Sequence, residues 1–122
     1  ILYCNEPKEE YVDLVRFLAR YPSRYETWLA HGHTMPNGDP SEPISNGSEL
    51  IGFLLIYTIL RPDNLLEEKL IIKGDPVKFL WLVPITQAEM DMKLEYGTDK
   101  LLSIFDEVNH PVVLNPMRKS YV

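Results

Sequence analysis

Cysteine is nearly absent from this 122-residue sequence, and the single Cys4 cannot form a disulfide within the chain. A lone cysteine favours a reducing compartment, so we expect a cytoplasmic protein. The six glycines are scattered and form no phosphate-binding loop. The longest apolar stretch, residues 50–60, is shorter than the roughly 18 residues of a membrane-spanning helix, so we expect no membrane partner.

Positive charge is also scarce. Lysine and arginine number 12 against 18 aspartates and glutamates, and the net charge is −6. A nucleic-acid site needs clustered cations along the phosphate backbone, and the sequence has no basic run of that kind. We therefore expect no nucleic-acid partner, and a partner selected by overall charge would be basic. Arg118 and Lys119, near the C-terminus, are expected to be solvated.

The remaining composition is ordinary for a folded domain. Hydrophobic residues make up 45% and charged residues 25% of the chain, which is enough to bury a core without cross-links. We interpret residues 1–122 as a single domain. Because residues 1–4 are apolar and resemble the end of a strand, we expect the N-terminal part of the domain to be missing from this sequence.

Helical periodicity recurs in three segments. Apolar residues at helical spacing predict a helix over residues 7–21, ended by Pro22. The Thr-x-x-Glu pattern at residues 86–89 is a capping box, and it predicts a helix over residues 87–96. A third helix is predicted to follow and to run through residue 108.

Alternating or continuous apolar runs predict the strands. We expect strands at residues 25–30, 50–60, 69–73, 77–83 and 112–114. The run at 77–83 is apolar at successive positions, which is typical of a central strand covered on both faces. The sequence therefore predicts an α+β fold, a mixed β-sheet with about three helices packed on it.

Residues 31–48 are predicted to form a long loop rich in proline, glycine and asparagine, and it contains the motif His31-Gly32-His33. Two histidines at this spacing hold a metal only when further ligands converge, and the other candidate ligands stand at no familiar spacing. We expect no metal and no cofactor, with both imidazoles bonded to loop backbone. An enzyme built on His31 and His33 remains an open alternative.

No catalytic constellation accompanies this loop. Cys4 lies in an apolar segment, and Ser48 and Ser120 lack the strand–turn–helix context of a nucleophilic serine. The numerous carboxylates are typical of solvated surface charge. We therefore expect the domain not to be an enzyme.

Three segments together resemble the suppressor-of-fused domain family. They are residues 18–40, with the sequence His-Gly-His-Thr-Met-Pro-Asn-Gly, residues 77–89, with Trp-Leu-Val-Pro-Ile-Thr and Glu89, and residues 111–120, with Arg118 and Ser120. The resemblance covers most of the chain from about Asn5 onward, and its loop and strand–helix junction resemble the bacterial branch.

This resemblance implies a suppressor-of-fused-like fold and a non-enzymatic, protein-binding function. Animal members restrain a zinc-finger transcription factor by gripping a short extended segment, largely through strand addition. Bacterial single-domain members are proposed to be immunity proteins that neutralise toxins. The expected partner is therefore a toxin or effector protein, or alternatively an extended peptide segment held by a regulatory domain.

The resemblance also implies a partner-binding site at Tyr21, Gly32 and His33. Tyr21 matches a tyrosine that lines the peptide site of the animal protein, and Gly32 matches a glycine. His33 stands where that protein has an aspartate, which changes the expected specificity but keeps a hydrogen-bonding group in the cleft. Long irregular loops on rigid scaffolds commonly carry recognition, which independently favours this region.

Overall fold

The computed structural model describes the backbone of residues 1–122 and every side chain except that of Asn64. The helices are α1 (Glu9–Arg24), α2 (Asp63–Glu67), α3 (Gln87–Tyr96) and α4 (Thr98–Glu107). The strands are β1 (Thr34–Pro36), β2 (Leu50–Tyr57), β3 (Ile71–Ile72), β4 (Asp75–Pro76) and β5 (Leu80–Thr86). The predicted α+β class is confirmed. None of the described helices has the length and apolarity needed to cross a membrane.

The main sheet has the strand order β1-β2-β5, and β3 pairs with β4 in a separate hairpin. The described strand pairs are all antiparallel, whereas a mixed sheet was expected. The prediction that residues 77–83 form the central strand is wrong, because β2 lies between β1 and β5. Ile1 lies along the far side of β5, where its carbonyl accepts a hydrogen bond from the Leu82 amide at 2.8 Å.

Both faces of the sheet are covered. Trp81 and Leu82 are adjacent in β5, and because side chains alternate along a strand they enter two different cores. Trp81 is 5% exposed and packs with Leu101 and Phe105 of α4, while Leu82 is 2% exposed and packs with Leu18 of α1. This double cover is why the strand is apolar at successive positions.

The predicted capping box is present at the start of α3. The Thr86 hydroxyl accepts a hydrogen bond from the Glu89 amide at 3.3 Å, and the Glu89 carboxylate accepts one from the Thr86 amide at 2.9 Å. The same buried carboxylate receives two nitrogens of Arg118, each at 2.7 Å. Arg118 was expected to be solvated, but it is buried and ties the C-terminal segment to the β5–α3 junction.

Several predicted boundaries are wrong. Helix α1 continues through Pro22 to Arg24, because a proline in the last turn removes only the bond to the carbonyl four residues before it. Residues 25–30 and 112–114 form no strand, because neither segment pairs with a strand of either sheet. The predicted loop at 31–48 contains the short edge strand β1.

Candidate partner-binding surface

A shallow groove of about 350 Å³ lies where the end of α1 meets the chain leading into β1. We term it the aromatic groove, and its lining residues are Tyr21, Thr27, Trp28, Leu29, His33, Thr34, Met35 and Lys93. Two of the three site residues predicted from the sequence, Tyr21 and His33, therefore line the same groove. Tyr21 comes from the last turns of α1, while His33 directly precedes β1.

Trp28 is the most prominent side chain of the groove. It is 67% exposed, and its ring lies edge-on to the His33 imidazole with 4.5 Å between the ring centres. Tryptophan combines a large apolar area with a hydrogen-bond donor, and it is enriched among the residues that dominate protein–protein binding energy. Trp28 was not among the site residues predicted from the sequence, because residues 25–30 were predicted to form a strand.

A row of aromatic rings extends from the groove along α1. The rings of Phe17 and Tyr21 meet edge-on at 5.7 Å, and those of Tyr21 and Tyr25 lie 4.6 Å apart. The four-residue spacing places these side chains above one another on the helix surface. Phe17 is 43% and Tyr25 is 51% exposed, so a large part of each of these side chains is in contact with solvent.

Gly32 fixes the direction of the chain between the two histidines. Its φ of 84° lies in the left-handed region that favours glycine, and an added Cβ would lie 3.0 Å from the Thr98 hydroxyl oxygen. The Gly32 amide donates to the Leu55 carbonyl at 2.7 Å, and the Leu55 amide donates to the His33 carbonyl at 2.8 Å. These bonds hold the base of the groove against β2.

His31 lies outside the aromatic groove. Its Nδ1 accepts a hydrogen bond from the Tyr57 amide at 3.1 Å, and its ring stacks on the Tyr57 ring at 4.7 Å. It lines a second cavity of about 520 Å³, which also includes Trp81 and His110. His31 and His33 therefore do not converge on a shared site. The described side chains include no cluster of three or more histidine, cysteine, aspartate or glutamate residues placed to hold a metal ion.

The second cavity is built on a packed aromatic cluster. His110 stacks on Phe105 at 4.5 Å, and its Nδ1 lies 3.0 Å from the Tyr121 hydroxyl. Burial, with a smaller effect from the Arg118 charge, lowers the pKa of His110 from 6.5 to about 4. The imidazole is therefore neutral near pH 7, and it joins the C-terminal segment to α4 as a packing residue.

The comparisons with known proteins agree with this architecture. Residues 2–119 match the family model described as suppressor of fused protein (SUFU). A crystal structure of a SUFU homologue from Neisseria gonorrhoeae FA 1090 superposes with a TM-score of 0.71 and 26% identity, covering 96% of this chain and 59% of the homologue. No curated protein matches the sequence.

A second solved structure, the Sufu–Fu complex, superposes with a TM-score of 0.69 over 96% of this chain and 47% of the matched chain. Its 15% identity shows the fold alone. The chain thus spans less than two thirds of either relative. The family match extends over nearly all of the sequence, and the chain belongs to the suppressor-of-fused family.

Proposed function

We propose that this domain is a non-enzymatic protein-binding module whose aromatic groove receives a segment of a partner protein. The observation that carries the proposal is Trp28, which lines the groove beside His33 and is 67% exposed. The related Sufu of the solved Sufu–Fu structure is in complex with another protein, which supports the same class of function.

The cost of exposing these rings supports a binding role. Phe17, Tyr25 and Trp28 keep between 43% and 67% of their surface in solvent. Trp28 lines the aromatic groove, and Phe17 and Tyr25 pack against Tyr21, which also lines it. Clustered apolar exposure of this kind marks interaction sites in soluble proteins. The groove is also preorganised, because backbone bonds from Gly32 and His33 to Leu55 hold its base. Preorganisation lowers the entropy lost on binding.

An extended segment suits this groove. Thr34 and Met35 line it and belong to β1, which among the described strands pairs on one side only. An exposed strand edge can add a further strand through main-chain hydrogen bonds, with side-chain pockets supplying specificity. For the whole partner we propose a toxin or effector protein in a bacterial cytoplasm, so that the domain acts as an immunity-type protein. A regulatory domain that holds a peptide is the second candidate.

A catalytic alternative built on His31 and His33 has less support. The two imidazoles line different cavities, and each is engaged by a neighbouring ring, Tyr57 for His31 and Trp28 for His33. A general base and its partner must reach one reacting atom, and this arrangement separates them.

Affinity capture from the native lysate, followed by calorimetry with the purified partner, tests the proposal. We expect Trp28→Ala to weaken binding by about 2 kcal/mol, as truncating a hot-spot tryptophan does. Ile71→Ala is the control, because Ile71 is 62% exposed in the separate β3–β4 hairpin and lies outside the groove. Unchanged affinity of the double variant Trp28→Ala/His33→Ala, with normal folding, would refute the groove as the binding site.

A further inference from the structure

The outer face of α1 carries a row of three arginines. Arg16, Arg20 and Arg24 follow one another at four-residue spacing and are all exposed. Together with Phe17 and Asp13 they line a depression of about 230 Å³, which we term the arginine depression. Side chains at this spacing are neighbours on a helix surface, so the three guanidinium groups form one positive strip.

The strip is poorly neutralised within the chain. The described ion pair on this face joins Arg16 to Asp13 at 3.4 Å, with both side chains more than 60% exposed. Arg24 lies over the Tyr25 ring at 5.7 Å, an arrangement that leaves its charge available. Repulsion between like charges four residues apart is offset for Arg24 by its position in the last turn of α1, where a cation interacts favourably with the helix dipole. No described carboxylate pairs with Arg20 or Arg24, so both guanidinium groups are available to bind a ligand.

The arginine depression is continuous with the aromatic groove. Phe17 lines the depression, and its ring packs at 5.7 Å against Tyr21, which lines the groove. Lys93 adds a cation to the lining of the groove. Two exposed acids lie near the ends of this surface, Asp13 in the depression and Glu26 in the turn before Trp28. Aromatic rings thus run beside a local excess of positive charge.

Resting on the proposed function, we infer that the bound segment of the partner protein is acidic. An apolar or aromatic residue of the segment packs against Trp28. Aspartate or glutamate residues of the same segment bind Arg16, Arg20 and Arg24 through their carboxylates. Arginine suits this role because its planar guanidinium group binds a carboxylate through two parallel hydrogen bonds. Tryptophan, tyrosine and arginine are also the side chains enriched in binding hot spots.

This inference reverses the expectation drawn from overall charge. A net charge of −6 favours a basic partner only when the whole molecule acts at long range. At physiological salt the interaction between exposed charges is screened beyond about 8 Å, so local arginines determine what binds on α1. The negative charge of the rest of the chain argues against a long polyanion such as single-stranded nucleic acid, which needs an extended cationic track.

A display library of random dodecapeptides, selected on the wild-type domain, tests the inference without a known partner. Enriched peptides are synthesised, and their affinities are measured by fluorescence anisotropy at low and high salt. The principal variant is Arg16→Glu/Arg20→Glu/Arg24→Glu, and the same positions changed to Gln give a second variant that disturbs the helix less. The matched control is Lys69→Glu/Lys73→Glu/Lys100→Glu, which alters net charge equally at exposed positions that line neither the arginine depression nor the aromatic groove.

We expect the enriched peptides to carry an excess of aspartate and glutamate. Their affinity should fall about tenfold or more in the arginine-to-glutamate variant, fall less in the glutamine variant, and weaken with salt. The lysine control should bind within about twofold of wild type, since it leaves the proposed contacts intact. Circular dichroism and thermal unfolding verify that each variant is folded.

The other outcomes separate this inference from the proposed function. If the consensus peptides are neutral or basic, or if the folded arginine variants bind with full affinity, the inference of an acidic segment is wrong. If Trp28→Ala still abolishes binding in that case, the proposed function of the aromatic groove is retained. Binding that survives Trp28→Ala/His33→Ala overturns the proposed function. The inference is also wrong if the selection enriches no peptide. Single-stranded DNA is tested with fluorescein-labelled oligo-dT, and the inference is wrong if this probe binds the wild-type domain and does not bind the arginine variants.

Discussion

Breaking the buried ion pair should destabilise the domain more than any surface change. Glu89 is fully buried and receives two nitrogens of Arg118 at 2.7 Å, together with the amides of Thr86 and Tyr121. Arg118 also donates to the Pro84 carbonyl at 2.8 Å. Replacement Arg118→Met keeps much of the side-chain volume, so its main effect is to leave a buried carboxylate without its cation.

The expected magnitude follows from desolvation. Removing one partner of a buried pair typically costs 3–5 kcal/mol, because the remaining charge is left uncompensated. Since a typical domain is stable by about 5–15 kcal/mol, this loss is a large fraction of the total. Glu89→Gln removes the charge but keeps an acceptor for the capping box, so the double variant Glu89→Gln/Arg118→Met should be more stable than Arg118→Met alone.

Urea unfolding of the two single variants and the double variant gives the coupling free energy. We expect the effects to be non-additive by at least about 1 kcal/mol, as for residues in direct contact. Lys119→Met is the control, since the exposed Lys119–Glu49 pair should contribute less than about 1 kcal/mol. Additive effects, or an Arg118→Met midpoint equal to that of Lys119→Met, would show that the reasoning is wrong.

Three further predictions concern stability. Trp81→Ala should cost about 3–5 kcal/mol because it opens a cavity in the core, whereas the exposed Trp28→Ala should leave the thermal midpoint nearly unchanged. Gly32→Ala should cost about 1–2 kcal/mol, because the new side chain meets both a left-handed backbone and the Thr98 side chain. Gly74→Ala is its control, since Gly74 has a similar φ of 88° but open space around it, and the difference between the two variants gives the contribution of the Thr98 contact. Because the pKa of His110 is lowered from 6.5 to about 4 on folding, the unfolded chain binds the proton first as pH falls. The stabilising effect of a neutral His110 is thus complete above about pH 6.5 and is lost toward pH 4. Because the ring is partly solvated, we expect the free energy of unfolding to fall by about 1–2 kcal/mol over this range. Urea unfolding at several pH values measures this loss, which should be absent in His110→Gln. Equal pH slopes for wild type and His110→Gln would contradict that assignment.

Local signals predicted the elements whose defining contacts are close in sequence. The capping box joins Thr86 and Glu89 within one turn, and the apolar run beginning at Leu50 is long enough to specify β2 by itself. The strands predicted at residues 25–30 and 112–114 do not form, because alternation of apolar residues cannot reveal whether a sheet edge is available to pair with.

The partner-binding residues remain a prediction, and their surroundings show which contacts the sequence alone does not reveal. Family resemblance pointed to Tyr21 and His33, which line one groove although they come from different elements. Trp28 was missed because it was placed in a strand, where one face would have been buried. Arg118 was assigned to solvent because its carboxylate partner, Glu89, is distant in sequence and only the fold brings the two together. The positive strip on α1 was not predicted, because the net charge of −6 is a sum over the whole chain and says nothing about local charge.

The positions of these features explain how the domain can keep aromatic rings in water. The two cores on either side of the sheet and the Arg118–Glu89 pair hold together β2, β5, α3, α4 and the C-terminal segment. Phe17, Tyr25 and Trp28 belong to neither core, so burial of these rings is not required for folding. Folding therefore does not depend on burying these three rings. The proposed binding surface still meets the core, because Leu29 and Met35 line the aromatic groove and also pack against the core on the α1 side of the sheet. We expect substitutions of the exposed rings and of the α1 arginines to change partner binding while the fold persists, as in a scaffold that presents a variable binding surface.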